Sequence, residues 1–348
     1  MGVVVMALLL ITSCSFMADP GYYTHVIKGE AQILLARRPI NEVLADSSTP
    51  EEVRNGLLEI RSIRSFATRK LGLKDNEGYT SYTDIGRPYV NWSLSAAPEF
   101  STKPKMWRIP FFGRAEHLTF FTKTKAEAYA SDLKAEGYDV FVRGVHVHST
   151  NGWFEDPVLN TFLLLGQARM AGIIFHEKTH ETVYTKADYA FSEGLAMFVQ
   201  SEGERLWIKE KYGPEALILF EADAVRFNQL NEIIMAARHR LDLLYRSGFP
   251  EEVMRLQKSD IFSSLLDNYK ELEKEWGGWD NYNEWMHREW NNARIAEYVK
   301  YNDNTPAFRK MFENCGKDFH LFISEARRIA SLSQKERSEI MEKLATRE

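Results

Sequence analysis

Hydrophobic and polar positions change their period twice along this chain, and the changes divide it into three stretches. From Tyr22 to Gly72 apolar residues recur at helical spacing, with Val53, Leu57, Ile60, Ala67 and Leu71 close to one stripe. Thr49, Pro50, Glu51 and Glu52 read as a capping box within this stretch, and Gly72 reads as its stop. Arg61, Arg64, Arg69 and Lys70 read as the solvated side of the same helix. The period then shortens. Residues 89–94, 106–109, 118–121 and 138–142 have the β-branched and aromatic content of strands, with a helix predicted over 125–135. Asp156 and Pro157 pair an N-cap with a first-turn proline and predict a helix start. Beyond Gln200 the pattern is almost wholly helical, broken at Gly213-Pro214, at 248–250 and at 276–280. The expected class is therefore helix-rich α+β, with a mixed sheet before residue 170 and a helical C-terminal half. Trp276, Trp279, Tyr282, Trp285 and Trp290 are expected as core between helices rather than as a ligand-stacking surface.

Candidate chemistry is concentrated at His176-Glu177-Lys178-Thr179-His180, an H-E-x-x-H pattern in a helical segment. At 3.6 residues per turn the two imidazoles leave one face and can share a metal, with Glu177 beside them as general base. Ile173, His176, Glu177, His180 and Tyr184 make one stripe of the kind that normally faces a core, so three polar groups are predicted where only a cation with its water would satisfy them. Composition alone would give about 0.03 matches of the looser His-acid-x-x-His pattern in a chain like this one. A turn at 185–187 leads to a second helix over 188–200, which brings Glu193 level with the histidines, among Phe191, Leu195 and Phe198. The expected ligand set is His176, His180 and Glu193 around one Zn²⁺, with Asp188 as the carboxylate behind a histidine. His146 and His148, at alternate positions, form an alternative metal pair.

Residues 176–180 followed by Phe191-Ser-Glu-Gly-Leu-Ala-Met-Phe198 resemble the glutamate-type zincin peptidases. More narrowly, the chain resembles a bacterial lipoprotein family described as predicted aminopeptidases, through Gly21-Tyr-Tyr23, Ala36-Arg-Arg-Pro39, Gly86-Arg-Pro-Tyr89, Ala96-Ala-Pro-Glu-Phe100, Gly152-Trp-Phe-Glu-Asp-Pro157 and Asn291-Asn-Ala293. Lys178 and Thr179 depart from it, standing where small or apolar residues are usual. The resemblance implies a zincin-like body in which an edge strand above the cleft, here 145–149 with His148, pairs with bound peptide. It implies an oxyanion-stabilising group, for which Tyr301 and Asn292 are candidates, and a carboxylate for the substrate's free amine, for which Glu99 is the candidate. The implied activity is zinc-dependent aminopeptidase; a zinc endopeptidase and a non-catalytic peptide- or zinc-binding lipoprotein are the alternatives.

At the other end, residues 3–11 form an apolar run too short to span a bilayer but suited to a signal-peptide core. It closes at Ile11-Thr-Ser-Cys14, which resembles a lipobox. The expectation is a lipoprotein-type signal peptide over 1–13 and a single peptidase body over 14–348, with a helical part at 14–75, sheet and metal-site helices at 76–200, and helices from 201. Lipid on Cys14 with Ser15 beside it implies anchorage in the outer membrane, facing the periplasm. The only other cysteine is Cys315, so no disulfide is available to a lipidated chain. A net charge of −5 with no dense basic block argues against nucleic acid as a partner.

Overall fold

The computed structural model describes residues 20–109, 113–147, 156–185, 188–298 and 305–346. In chain order its first elements are α1 (Pro20–Leu35), β1 (Arg38–Pro39), α2 (Ile40–Ala45), α3 (Glu51–Leu71), β2 (Ser81–Thr83), β3 (Asn91–Pro98), β4 (Trp107–Ile109), β5 (Gly113–Ala115), β6 (His117–Phe120), α4 (Lys123–Ala135), β7 (Tyr138–Val145) and β8 (Val158–Leu159). After a 3-10 turn at Phe162–Leu164 come α5 (Gln167–Thr182), α6 (Tyr189–Tyr212), α7 (Pro214–Tyr245), α8 (Glu251–Glu275), α9 (Asn283–Met286), α10 (Asn292–Tyr298), α11 (Thr305–Asn314), α12 (Phe319–Ala330) and α13 (Gln334–Ala345). Long helices and short strands make this a helix-rich α+β chain. No helix among the described residues is long and apolar enough to cross a membrane. The predicted signal peptide and Cys14 lie outside the described residues.

The chain divides into two compact units, each gathered from separated stretches. The first takes residues 1–32, 91–145 and 230–299; the second takes 33–90, 146–229 and 300–348.

The first unit has an antiparallel sheet in the order β6-β3-β7, with Leu94 opposite Leu118 on one side and Val142 on the other. α4 lays Ala126, Ala130 and Leu133 onto it, closing an apolar cluster with Leu94, Ala96, Leu118, Phe120 and Val140. A second cluster forms where Leu230, Ile234, Ala237, Leu241 and Leu244 recur at alternating four- and three-residue steps on α7, the spacing that keeps one seam of a helix against its neighbour. Ile261, Leu265 and Tyr269 of α8 answer it, with Trp290 buried and Trp276, Tyr282 and Trp285 packed alongside, so these four join the core as expected, while half-buried Trp279 lies outside the cluster against the rings of Trp276 and Tyr282.

In the second unit, β1-β2-β8 make a small mixed sheet, and α3, α5 and α6 supply the mass. Phe66 stacks on Phe175 at 5.8 Å and meets Trp207 edge-on at 5.0 Å, tying the three helices together. Gly203 permits this: a Cβ there would stand 2.8 Å from Phe175 and 2.9 Å from Leu71. Phe191 and Phe198 pack on Phe308 of α11, and Phe198 also on Phe322 of α12.

Three local expectations are corrected. The stretch 22–72 is not one helix but α1, α2 and α3, because Pro39 and Pro50 hold extended N-cap positions that a continuing helix cannot accept. Thr49 makes no capping box; its hydroxyl donates instead to the Val43 carbonyl at 2.7 Å, and Glu51 and Glu52 provide the favourable charge in the first turn of α3. Asp156 and Pro157 lead into β8 rather than a helix, since the Asp156 carbonyl accepts the Tyr79 N–H at 2.9 Å and holds this segment extended.

Candidate metal centre

α5 starts after Gly166 and pairs with α6 in opposite directions: Gly172 near its start lies against Glu204 far along α6, while His176 and His180 face Glu193 in the first turns of α6. Without a Cβ, Gly172 accepts the Glu204 carboxyl; any other residue would meet its Oε1 at 1.6 Å. Burial there raises the Glu204 carboxyl to about 8 despite a hydrogen bond from Gln200 and the charge of Arg169.

The start of α6 is fixed twice over. Asp188 caps it, accepting the Phe191 N–H at 3.0 Å, and its second oxygen takes the Arg337 Nε at 2.9 Å. Arg337 is 1% exposed and also donates to the Ala330 and Leu332 carbonyls. Asp188 is therefore a helix anchor with both oxygens committed, which corrects its expected place behind a histidine.

The face of α5 buried deepest is Ala171, Ile174, Phe175, Lys178 and Thr179, not the stripe that carries the histidines. That stripe lines a half-open face: the side chains of His176, His180 and Glu193 are 16%, 19% and 26% exposed. Their donor atoms converge. The two Nε2 atoms stand 3.1 Å apart, and the Glu193 carboxylate reaches His176 Nε2 at 3.6 Å and His180 Nε2 at 3.3 Å. Burial opposes the charge on Glu193, but hydrogen bonds to His176 and His180 outweigh it and hold the carboxyl down to about 2. Among the described residues this is the group of three side chains able to hold a metal, its donor atoms all within 4.8 Å of one another. Two nitrogens and a carboxylate on one side of a half-open cleft match a catalytic divalent site, in which a further position stays open. Each Nδ1 is buried without a hydrogen-bond partner among the described residues.

Glu177 is half-buried beside this cluster. Its charge reaches the phenol of Tyr79, which burial foremost, then Glu177, Asp156 and Glu181, push well above the ordinary tyrosine value. Tyr79 was not marked by any pattern in the sequence. It adopts φ 60° without being glycine, stacks on Phe162, and is 4% exposed. Asn76 was missed as well. Its amide donates to Glu181 and accepts the Nζ of Lys178 at 2.8 Å, bracing the metal helix from outside. This explains how Lys178 can stand at a fully buried position: burial and then the Arg64 charge push its pKa down, Glu181 and Asp75 draw it up, and Asn76 satisfies it.

Of the remaining expected residues, Asn292 and Glu99 belong to the first unit and His146 to the second. Asn292, a candidate for oxyanion stabilisation, is fully buried in the first unit, donating to the Pro98 and Glu99 carbonyls at 3.2 and 2.7 Å and accepting the Tyr245 hydroxyl at 2.9 Å. Its side-chain polar atoms are therefore engaged in contacts within that unit. Glu99, also in the first unit, is held by Arg255 through two hydrogen bonds of 2.6 and 3.0 Å, which keep its carboxyl below the usual range; a substrate amine would have to displace that guanidinium. β7 ends at Val145, so the strand expected at 145–149 is not continuous. His146 lies against Tyr89 with ring centroids 4.8 Å apart and is absent from the metal-capable group. His148 and Tyr301 lie outside the described residues.

A family model described as "Putative aminopeptidase" matches residues 21–341. The chain belongs to that family. No curated protein and no solved structure matches it. As an aminopeptidase-family chain it carries the hairpin of α5 and α6, with all three convergent side chains and Glu177, well inside the matched span.

Proposed function

We propose that this protein is a zinc-dependent aminopeptidase in which His176, His180 and Glu193 hold one Zn²⁺ and Glu177 is the general base. The observation that carries the reading is the convergence of three ligand-type donors from two helices, with the H-E-x-x-H glutamate one residue from the first of them. A zinc ion bound there supplies Lewis-acid activation of water and of the scissile carbonyl. Glu177 takes the proton of the attacking water and returns it to the leaving amine. Glu193 contributes a negative ligand already ionised at neutral pH. Asn76 and Lys178 keep α5 in register, and Asp188 with Arg337 does so for α6. The family description favours removal of N-terminal residues over internal cleavage.

The deciding experiment is metal analysis of the purified protein together with a digest of free and N-acetylated peptides, comparing wild type with Glu177→Gln. One equivalent of zinc in both proteins, with cleavage of free peptides by wild type alone, is the expected result. A wild type without zinc, or a variant of undiminished activity, would overturn it. Efficient internal cleavage of acetylated peptides would leave a zinc peptidase of the endo type. We also propose anchorage through lipid on Cys14, supported by the apolar run and Ile11-Thr-Ser-Cys14; labelled lipid should mark wild type and not Cys14→Ala.

A further inference from the structure

The second unit carries an open cleft of 660 Å³ lined by Arg37, Arg61 and Arg64. Arg61 and Arg64 stand three residues apart on α3 and leave it on the same side, where like charges repel. The protein answers that repulsion only in part. Arg64 gives one terminal nitrogen to the Asn76 carbonyl and approaches the exposed Asp75 carboxylate at 3.4 Å. Its Nε is buried and meets no acceptor among the described residues. Arg61 makes no hydrogen bond or ion pair among the described residues. Arg37 donates its Nε to the Leu34 carbonyl at 2.9 Å, which steadies it at the end of α1. Glu77 is the one acidic residue on this wall, and Ile40 and Tyr79 contribute apolar surface. A buried guanidinium N–H without an acceptor is costly and calls for an explanation.

We propose that this cleft binds a small molecule through an oxyanion group, a carboxylate or a phosphate, gripped by Arg61 and Arg64 with Arg37 at its edge. The planar fork of arginine matches both groups in two-point contacts, and exposed Arg61, with no hydrogen bond or ion pair among the described residues, supplies the donors that such a contact needs. The volume lies within the range of about 300–1,000 Å³ common to small-ligand pockets. None of His176, His180 and Glu193 lines it, so the proposal stands or falls independently of the zinc reading.

The test is isothermal titration calorimetry on the full chain at fixed ionic strength, with inorganic phosphate and succinate as probes and succinamide as the neutral control. Phosphate or succinate should bind with one-to-one stoichiometry and succinamide should not; the tighter of the two anions names the group. Arg61→Gln should weaken binding about tenfold, as expected for loss of one charge-assisted contact. Arg64→Gln should weaken it at least as much; because Arg64 also holds Asn76, circular dichroism must show that variant folded, and exposed Arg61 provides the arm that does not depend on it. Glu193→Ala should leave anion binding unchanged. The proposal is overturned if neither anion binds at about 10 mM, a concentration that would detect even weak sites. Equal binding in Arg61→Gln and wild type would also overturn it, as would binding that vanishes in Glu193→Ala, which would put the anion at the metal centre.

Discussion

Around Asn292 each side-chain polar atom has a mate: its amide serves two carbonyls, its oxygen takes a tyrosine hydroxyl, and its N–H meets Asp139, which in turn accepts Lys258 at 2.6 Å. Around Glu193 the plan is reversed. Two imidazole nitrogens and a carboxylate are pressed to within 4.8 Å of one another, an arrangement that could hold a cation between them. Both regions bury polar side chains, and both contain a glutamate held ionised. Glu99 owes that to Arg255, a cationic partner the fold supplies; Glu193 owes it to two histidines that, with it, could hold a metal. A closed polar network stabilises a fold, whereas an open one of matched donors marks where chemistry is done.

The sharpest way to test this contrast is at Glu177. Glu177→Gln removes a proton acceptor and leaves every convergent donor in place, so turnover should fall about 10³-fold while zinc stays bound. Paired kinetics and metal analysis read both; activity within tenfold of wild type would take Glu177 out of the mechanism. Glu193→Ala should have the complementary effect, loss of zinc on dialysis together with loss of activity, while the metal-free variant keeps a melting temperature close to that of metal-free wild type. Full zinc retention would show that the open network is not the metal site.

The closed network should respond in the opposite sense. Asn292→Ala leaves the Tyr245 hydroxyl and the Pro98 carbonyl without their partner in a fully buried place and should cost about 3 kcal/mol in chemical denaturation. Zinc content of the folded variant should be unchanged. A variant as stable as wild type would mean that the network is not closed as described.

The contrast also explains what could be read from the sequence. The cluster at the centre of α5 was legible because the spacing of His176, Glu177 and His180 is fixed by one helical period, and Glu193 because a short connection to a second helix limits where it can go. The strands of the β6-β3-β7 sheet were legible from alternation and β-branched content. The strands β1, β2 and β8 were not, being two or three residues long and defined only by pairing with distant segments. Asn76 braces residues about a hundred positions away, and Arg337 anchors Asp188 across 149. No local pattern encodes such contacts. The bonding of Asn292 was illegible for the same reason: a family-like stretch draws notice to a residue, and only packing shows which partners its polar atoms take.

The smallest expected effect is at the pair that joins Glu99 to Arg255. Both side chains are substantially exposed, 36% and 47%, so water and salt screen the interaction, and Arg255→Ala should shift the melting temperature little at neutral pH. Its sign is nevertheless fixed. Arg255 holds the Glu99 carboxyl below its ordinary value, so the stabilisation is present above the pKa of an unfolded glutamate, about 4.3, and is lost as pH falls and the folded carboxyl takes up its proton. The difference between wild type and Arg255→Ala should accordingly be greatest at neutral pH and low salt and shrink toward about pH 3, the end of the ordinary carboxylate range. Thermal melts across that range measure it. A difference that grows on acidification would mean that Arg255 acts through packing on Phe100, whose ring centroid lies 5.4 Å from its guanidinium, rather than through Glu99. Removing the guanidinium also frees the Glu99 carboxylate, so peptide kinetics on the same variant ask whether a freed carboxylate alters the preference for a free N-terminus; unchanged kcat/KM on free and acetylated peptides would leave Glu99 a purely structural residue.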